Sequence, residues 1–389
     1  MGEAETRARQ IPEVRRLVVK VGSSSLVDAT GVVARARMRK IVGDVASAAR
    51  GGRACVLVSS GAIASGLAPL GFSRRPKDLP GLQAAAAVGQ GSLMAEYARL
   101  FADLDLVAAQ ILLTQDDFVA RRRFVNAQRT FERLLSAGAI PVVNENDTVA
   151  TEEITFGDND RLAALVAIMI QADLLVQLSD VDGIYTRDPR RRGARLVAEV
   201  RDPLSVESGP ASPLGSGGIG SKLQAAALAS AAGIPTVVAG AARRDVLSGI
   251  LAGRPVGTWI PARAVRKRAR DAWMAFASVP RGRIVVDAGA EKAIREAGSS
   301  LLPAGVVAVE GTFAAGDAVE IVGPGGTFAR GIANHSVGAV ARLASSGRLL
   351  RSWRSERPLP ARSREPAPGG REVVHRDLLV VTQEEPWPR

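Results

Sequence analysis

The sequence predicts an α/β protein, a three-layer αβα sandwich with a mostly parallel sheet followed by a small mainly-β barrel. Three observations carry that reading. Short apolar runs rich in valine and isoleucine alternate with longer, alanine-rich stretches of helical periodicity over residues 17–260. From Gly282 onward the runs become shorter and glycine turns separate them. The composition, 47% hydrophobic but only 4% aromatic with 40 glycines, suits a core of aliphatic side chains.

Taken in order, residues 1–14 read as a loose polar tail. Residues 15–262 form the sandwich, with buried parallel strands expected at Leu17–Val21, Ala54–Val58, Leu106–Leu113, Ile140–Val143, Leu174–Leu178 and Pro235–Ala239. Helices are expected between them at Val32–Arg50, Leu82–Leu104, Phe124–Ala137, Arg161–Gln171 and Lys222–Ala232. A basic connector, 263–280, leads to the second domain over 281–350, with strands at Arg283–Val286, Val306–Val309 and Ala318–Val322. Residues 351–389 are a Pro/Arg-rich tail, with one strand expected to return near 372–381.

Composition excludes several classes. No apolar run approaches the roughly 20 residues that span a bilayer, and the polar start MGEAETRARQIPEV lacks the hydrophobic region of an export signal. With Cys55 the only cysteine, there is no internal disulfide framework, and a cytoplasmic location is expected. Two histidines and one cysteine support neither a zinc site nor a Ser-His-Asp triad. The formal charge of +12 comes almost wholly from arginine, a bias that a GC-rich coding background produces without a functional reason. Lysine occurs only six times, so a lysine in a glycine-rich segment carries weight.

In an open α/β sheet, ligands collect beyond the carboxyl ends of the strands. Polar or glycine-rich segments cluster at that edge here: Lys20-Val21-Gly22-Ser23-Ser24, Ser59-Ser60-Gly61-Ala62, Asn144-Glu145-Asn146-Asp147, Gly157-Asp158-Asn159-Asp160 and Ser179-Asp180. Gly22 with Ser23 and Ser24 offers unshielded backbone N–H groups that suit a phosphate. Ser60 and Gly61 open a helix, where an anion such as a carboxylate is favoured. Asp147 can accept from an ammonium group, and Asn159 can both donate and accept. Any one of these segments alone reads as a polar turn or a helix cap. Their common place at one edge favours function.

The segment Gly215-Ser216-Gly217-Gly218-Ile219-Gly220-Ser221-Lys222 contains GxGxxG, but its lead-in is turn chemistry instead of a strand, so a dinucleotide fingerprint is disfavoured. It also misses the phosphate-loop pattern by one position, since Ser221 precedes Lys222. What remains is a glycine-rich loop delivering Lys222 at a helix start, an arrangement that favours phosphate oxygens. His375-Arg376-Asp377-Leu378 mimics a protein-kinase catalytic loop, but Thr382 fills its asparagine position.

The sequence resembles the bacterial glutamate 5-kinase (γ-glutamyl kinase) family, whose members fuse an amino acid kinase domain to a C-terminal PUA domain. The motifs are LVVKVGSSSL at 17–26, VSSGAIASG at 58–66, PVVNENDTVA at 141–150, FGDNDRLAA at 156–164, LSDVDGIYTRDPR at 178–190 and GSGGIGSKLQAA at 215–226. GSSLLPAGV at 298–306 resembles part of the PUA domain, and the match runs in order over roughly 15–345. The tail departs from the family, with 352–370 reading as an insertion.

The resemblance implies ATP-dependent phosphorylation of the γ-carboxylate of L-glutamate as the first step towards proline. It also implies Mg²⁺, feedback inhibition by proline, and assembly into a homo-oligomer, a dimer or tetramer. By motif position, it implies that Lys20 and Lys222 contact the transferred phosphoryl group and that Asp160 organises them. Ser60, Gly61, Asn144, Asp147 and Asn159 would bind glutamate. Lys20, Gly22, Ser179, Asp180 and the loop Ser216, Gly217, Gly218, Ile219, Gly220, Ser221, Lys222 would bind ATP; no metal ligands follow from it. The alternatives are a sister kinase acting on aspartate or N-acetylglutamate, or an RNA-binding protein acting through the PUA-like domain.

Overall fold

The computed structural model describes residues 11–26, 34–114, 117–118, 121–149, 159–203, 205–206, 218–262, 280–353 and 372–381. Residues 1–10, Gly157, Asp158, Ser216, Gly217, 263–279 of the connector and 354–371 of the tail lie outside them. The chain divides into two compact units, one of residues 1–117 with 125–269 and one of 270–389 with the short stretch 118–124.

In the first unit, the strands are β1 (Arg16–Val21), β2 (Ala54–Val58), β3 (Ala108–Leu113), β4 (Ile140–Glu145), β5 (Leu174–Ser179), β6 (Thr236–Gly240) and β7 (Thr258–Ile260). They form one sheet in the order β3-β4-β2-β1-β5-β6-β7. Every pairing is parallel except β6 with β7, an antiparallel edge that the periodicity did not reveal because Thr258–Ile260 is too short to show alternation. The helices between them are a short turn α1 (Ser23–Leu26), α2 (Arg35–Arg50), α3 (Ala62–Leu67), α4 (Leu79–Ala102), α5 (Arg121–Ser136, of which 125–136 belong to this unit), α6 (Asn159–Met169), α7 (Ile219–Ala231) and α8 (Val246–Leu251). Arg121–Arg123, which as a charge run suggests a solvated loop, instead opens α5.

Strand parity decides which side chains reach which face. Leu17, Val19 and Val21 of β1 join Cys55, Leu57, Leu174, Val176 and Leu178 in a core with α2, α4 and α8. Lys20 has the opposite parity, so it lies on the other face, where Val58 of β2 and Gln177 of β5 are its neighbours in register. Helix α6 packs on β1, β5, β4 and β2, and also against α7. All of its residues except Arg161 are buried. That makes α6 a central helix, explaining why DNDRLAALVAIM shows so little amphipathic pattern.

Helices α3 and α4 approach backbone to backbone. A Cβ on Gly66 would strike the carbonyl of Ala85, and one on Gly89 the carbonyl of Ala62. Only glycine permits this approach.

The second unit holds β8 (Gly282–Val286), α9 (Ala288–Ala297), β9 (Val306–Gly311), β10 (Ala318–Gly323), β11 (Gly326–Ile332), α10 (Val337–Trp353) and β12 (Leu379–Val381). Its strands form a sheet in the order β12-β11-β10-β8-β9. The returning strand is β12, paired antiparallel with β11. Helix α9 is capped by the Asp287 carboxylate, which accepts from the Ala290 N–H at 2.7 Å, and it ends on left-handed Gly298. These two turn-like residues hid a ten-residue helix among the glycine signals.

Candidate active site

The carboxyl ends of β1, β2, β4 and β5 meet the N-termini of α6 and α7, and the titratable cluster sits there. Asp160, in the first turn of α6, is fully buried. Its Oδ1 pairs with the Lys20 ammonium and its Oδ2 with the Lys222 ammonium at 3.0 Å. The Ser221 hydroxyl donates to the same Oδ2 at 3.0 Å. Lys20 is 2% exposed and Lys222 7%. Asp160 thus gathers two ammonium groups at one buried point, a place where cationic side chains can meet an arriving anion.

Local sequence explains the placement. Helix α7 begins at Ile219, with Gly218 as its N-cap in an extended conformation, so Lys222 is its fourth residue, slightly further in than expected. Gly22 follows β1 directly, and a Cβ there would lie 3.7 Å from the Lys20 ammonium, so the chain leaves space beside that charge. Gln177 donates from Nε2 to the Lys222 carbonyl at 3.3 Å, tying β5 to α7.

One residue before Asp160, Asn159 builds a second, amide-lined cluster. Its Nδ2 donates to the Ser59 carbonyl at 2.5 Å, to Asn144 Oδ1 at 2.7 Å and to Ser60 Oγ at 3.1 Å. Two amide protons serve three acceptors, so the Ser60 bond is shared. Asn159 Oδ1 accepts nothing among the described residues. Asn144 Oδ1 also takes the Glu145 backbone N–H at 2.9 Å. Gly61, in the left-handed region at φ +100°, turns the chain from β2 into α3.

Asp147 lies beyond β4 and is half-buried. Loss of water pushes its carboxyl up to about 6, and the charge of Arg75 pulls it partly back. Ser179 ends β5, and its hydroxyl donates to Asp180 at 3.1 Å. No described hydrogen bond joins Asp147 or the Ser179–Asp180 pair to the other two clusters. In the second unit, Arg283 and Arg330 pair with Glu320, and Arg295 with Glu291.

Sequence reasoning missed three side chains. Gln90 on α4 accepts from Asn144 Nδ2 at 2.8 Å. Tyr97, on the same helix, shares a hydrogen bond of 2.8 Å with Ser59 Oγ. Gln177 is the third. Signals for them exist: Gln177 is the lone amide inside LLVQLS, and Gln90 interrupts an Ala/Gly-rich helix.

Residues 15–240 match the amino acid kinase family, and residues 282–348 match the PUA domain. The fold and the site therefore define a kinase of the amino acid kinase class carrying a second, PUA unit. Among curated relatives, Glutamate 5-kinase of Streptomyces coelicolor is 50% identical, over 96% of this chain and 98% of its own. Glutamate 5-kinase of Streptomyces avermitilis is 49% identical, over 97% of this chain and 99% of its own. That of Thermus thermophilus is 46% identical, over 95% and 98%. The chain belongs to the glutamate 5-kinase family.

Proposed function

We propose that this protein transfers the terminal phosphoryl group of ATP to the γ-carboxylate of L-glutamate, giving ADP and γ-glutamyl phosphate, as the first step of proline biosynthesis. The observation that carries this reading is Asp160 holding Lys20 and Lys222 one residue from the Asn159 cluster.

In this reading, Ser60, Gly61, Asn144, Asp147 and Asn159 receive glutamate. Asn159 Oδ1 and the Asp147 carboxylate accept from its α-ammonium, while the Ser60 hydroxyl donates to a carboxylate. Gly22, Ser179, Asp180 and the loop Ser216–Lys222 receive ATP. A carboxylate is already nucleophilic at neutral pH, so no general base is required. One of its oxygens bonds to the γ-phosphorus as the bond to the bridging β–γ oxygen breaks, and ADP departs with that electron pair. The difficulty is bringing an anion to a polyanion, so the work is positioning and charge neutralisation. Lys20 and Lys222 neutralise the transferring oxygens, and Asp160 fixes where the two ammonium groups stand.

Among the described residues, no group of three or more His, Cys, Asp or Glu side chains could hold a metal ion. Mg²⁺ is proposed to arrive on the nucleotide, bound mainly by phosphate oxygens. When bound, Mg²⁺ supplies further neutralisation of the phosphate charge. Proline is the proposed feedback inhibitor, and a homo-oligomer, a dimer or tetramer, the proposed assembly. Small side chains exposed along α4, at Ala84, Ala87, Val88, Gly91 and Ala95, support packing by a second copy. No described helix is long and apolar enough to cross a membrane. The proposed cytoplasmic location rests on the lone cysteine, which suits a reducing compartment.

The test is ADP release by the purified protein with ATP, Mg²⁺ and each of glutamate, aspartate and N-acetylglutamate, with hydroxylamine trapping of the acyl phosphate. Turnover that favours glutamate is expected. A preference for either of the other two acids would overturn the assignment.

A further inference from the structure

Helix α4 reaches the amide cluster at two points. Gln90 and Tyr97, two turns apart, lie on one side of it and contact the ends of two different strands. Gln90 Oε1 takes the Asn144 Nδ2 proton at 2.8 Å, and the fully buried Tyr97 hydroxyl meets Ser59 Oγ at 2.8 Å. Asn144 and Ser59 are in turn the residues to which Asn159 Nδ2 makes its two shortest bonds. A hydrogen-bonded chain therefore runs from α4 through the Asn144 amide at the end of β4 to Asn159, while Ser59, just past β2, meets Tyr97 through its hydroxyl and Asn159 through its carbonyl.

We infer that Gln90 and Tyr97 are positioning residues for the amino-acid pocket, a conclusion that rests on the function proposed above. Neither needs to touch substrate. Asn144 is 3% exposed, so both ends of its amide must be satisfied inside the protein. The Glu145 N–H and Asn159 hold its oxygen end, while Gln90 holds its nitrogen end. Without Gln90, the Asn144 Nδ2 regains a partner only if the side chain swings towards pocket water. That movement withdraws Oδ1 from Asn159 and frees the Asn159 amide to turn. Because Asn159 Oδ1 is the acceptor left for substrate, the loss falls on amino-acid binding and leaves the nucleotide side alone. Tyr97 acts in the same sense on Ser59, with a smaller share, since the Ser59 hydroxyl also donates to the Ser60 carbonyl at 3.2 Å.

Steady-state kinetics of Gln90→Leu, Gln90→Met and Tyr97→Phe test this. The expected result is a KM for glutamate raised about tenfold in either Gln90 variant and a few-fold in Tyr97→Phe, with KM for ATP unchanged. A double-mutant cycle adds a readout that a merely structural role would not move. If Gln90 acts through Asn144, Gln90→Leu has no further effect on KM in an Asn144→Ala background. Unchanged KM for glutamate in the folded Gln90 variants, or equal rises for both substrates, overturns the inference. Wild-type protein that does not turn over glutamate overturns the functional reading instead. Crystal structures of wild type and Gln90→Leu then still judge the positioning claim, which requires Asn144 Oδ1 to leave Asn159 Nδ2 in the variant.

Discussion

Replacing Lys222 with alanine tests the core of the proposed chemistry. The substitution removes one of two ammonium groups that share Asp160, and with it one unit of positive charge. At a separation of about 4 Å and an effective dielectric near 20, a unit charge acts on a phosphoryl oxygen by about 4 kcal/mol. At about 1.4 kcal/mol per decade, that is roughly a thousandfold in rate. Losing one preorganised stabiliser of developing charge typically costs about 10²–10³ in kcat, which agrees. The KM for glutamate should move less than about threefold, because Asn159 keeps its bonds to Ser60 and Asn144. Folding should survive, since Asp160 retains Lys20 and the Ser221 hydroxyl. The assay is coupled ADP release with kcat and KM fitted separately, alongside a thermal melt. A folded Lys222→Ala variant with kcat within tenfold of wild type would refute the reasoning.

Other outcomes follow from single features. The Asp147 carboxyl, raised to about 6, loses its charge as pH falls through that value, so kcat/KM for glutamate should drop about tenfold per unit below pH 6, and Asp147→Asn should abolish that limb. The stability effect has the opposite sign: a carboxyl raised from 3.8 destabilises the fold above about pH 6, and this penalty is relieved on acidifying towards pH 4, which melts of wild type and Asp147→Asn across that window would reveal. Gly89→Ala should lower stability by about 1–3 kcal/mol in urea unfolding, because its methyl group would meet the Ala62 carbonyl. Cys55, buried with its thiol pushed up to about 12, should resist a thiol reagent at pH 8 in the native protein and react once unfolded.

The sheet was legible because a strand covered on both faces must be apolar throughout, and Leu17–Val21, Ala54–Val58 and Leu174–Leu178 are nearly so. Their polar termini marked the rim for the same reason: Lys20, Ser60, Asn144 and Ser179 stand where the apolar demand stops. Elements set by tertiary context were not legible. The three-residue strand Thr258–Ile260 exists because β6 offers it an edge, and helix α10 over Val337–Trp353 has only a weak apolar stripe. Gln90 and Tyr97 escaped notice because their role depends on how α4 lies across the strand ends, which no spacing along the chain encodes. The bond from Gln177 to the Lys222 carbonyl likewise joins residues far apart in sequence.

Helix α6 carries Asn159 and Asp160 as consecutive residues in a segment sealed from solvent at nearly every position. In the proposed reading, the amino-acid end and the phosphoryl end of the reaction are thus fixed to one rigid rod, offset by about 1.5 Å along its axis. Such a rod is a ruler for side-chain length. A dicarboxylic acid one methylene shorter, gripped by its amino group, holds its distal oxygen roughly an ångström short of attack, an error worth about a hundredfold in rate. If Asp147 and Ser60 grip the amino acid as proposed, broader substrate choice would have to come from moving that grip, not from adjusting the lysines.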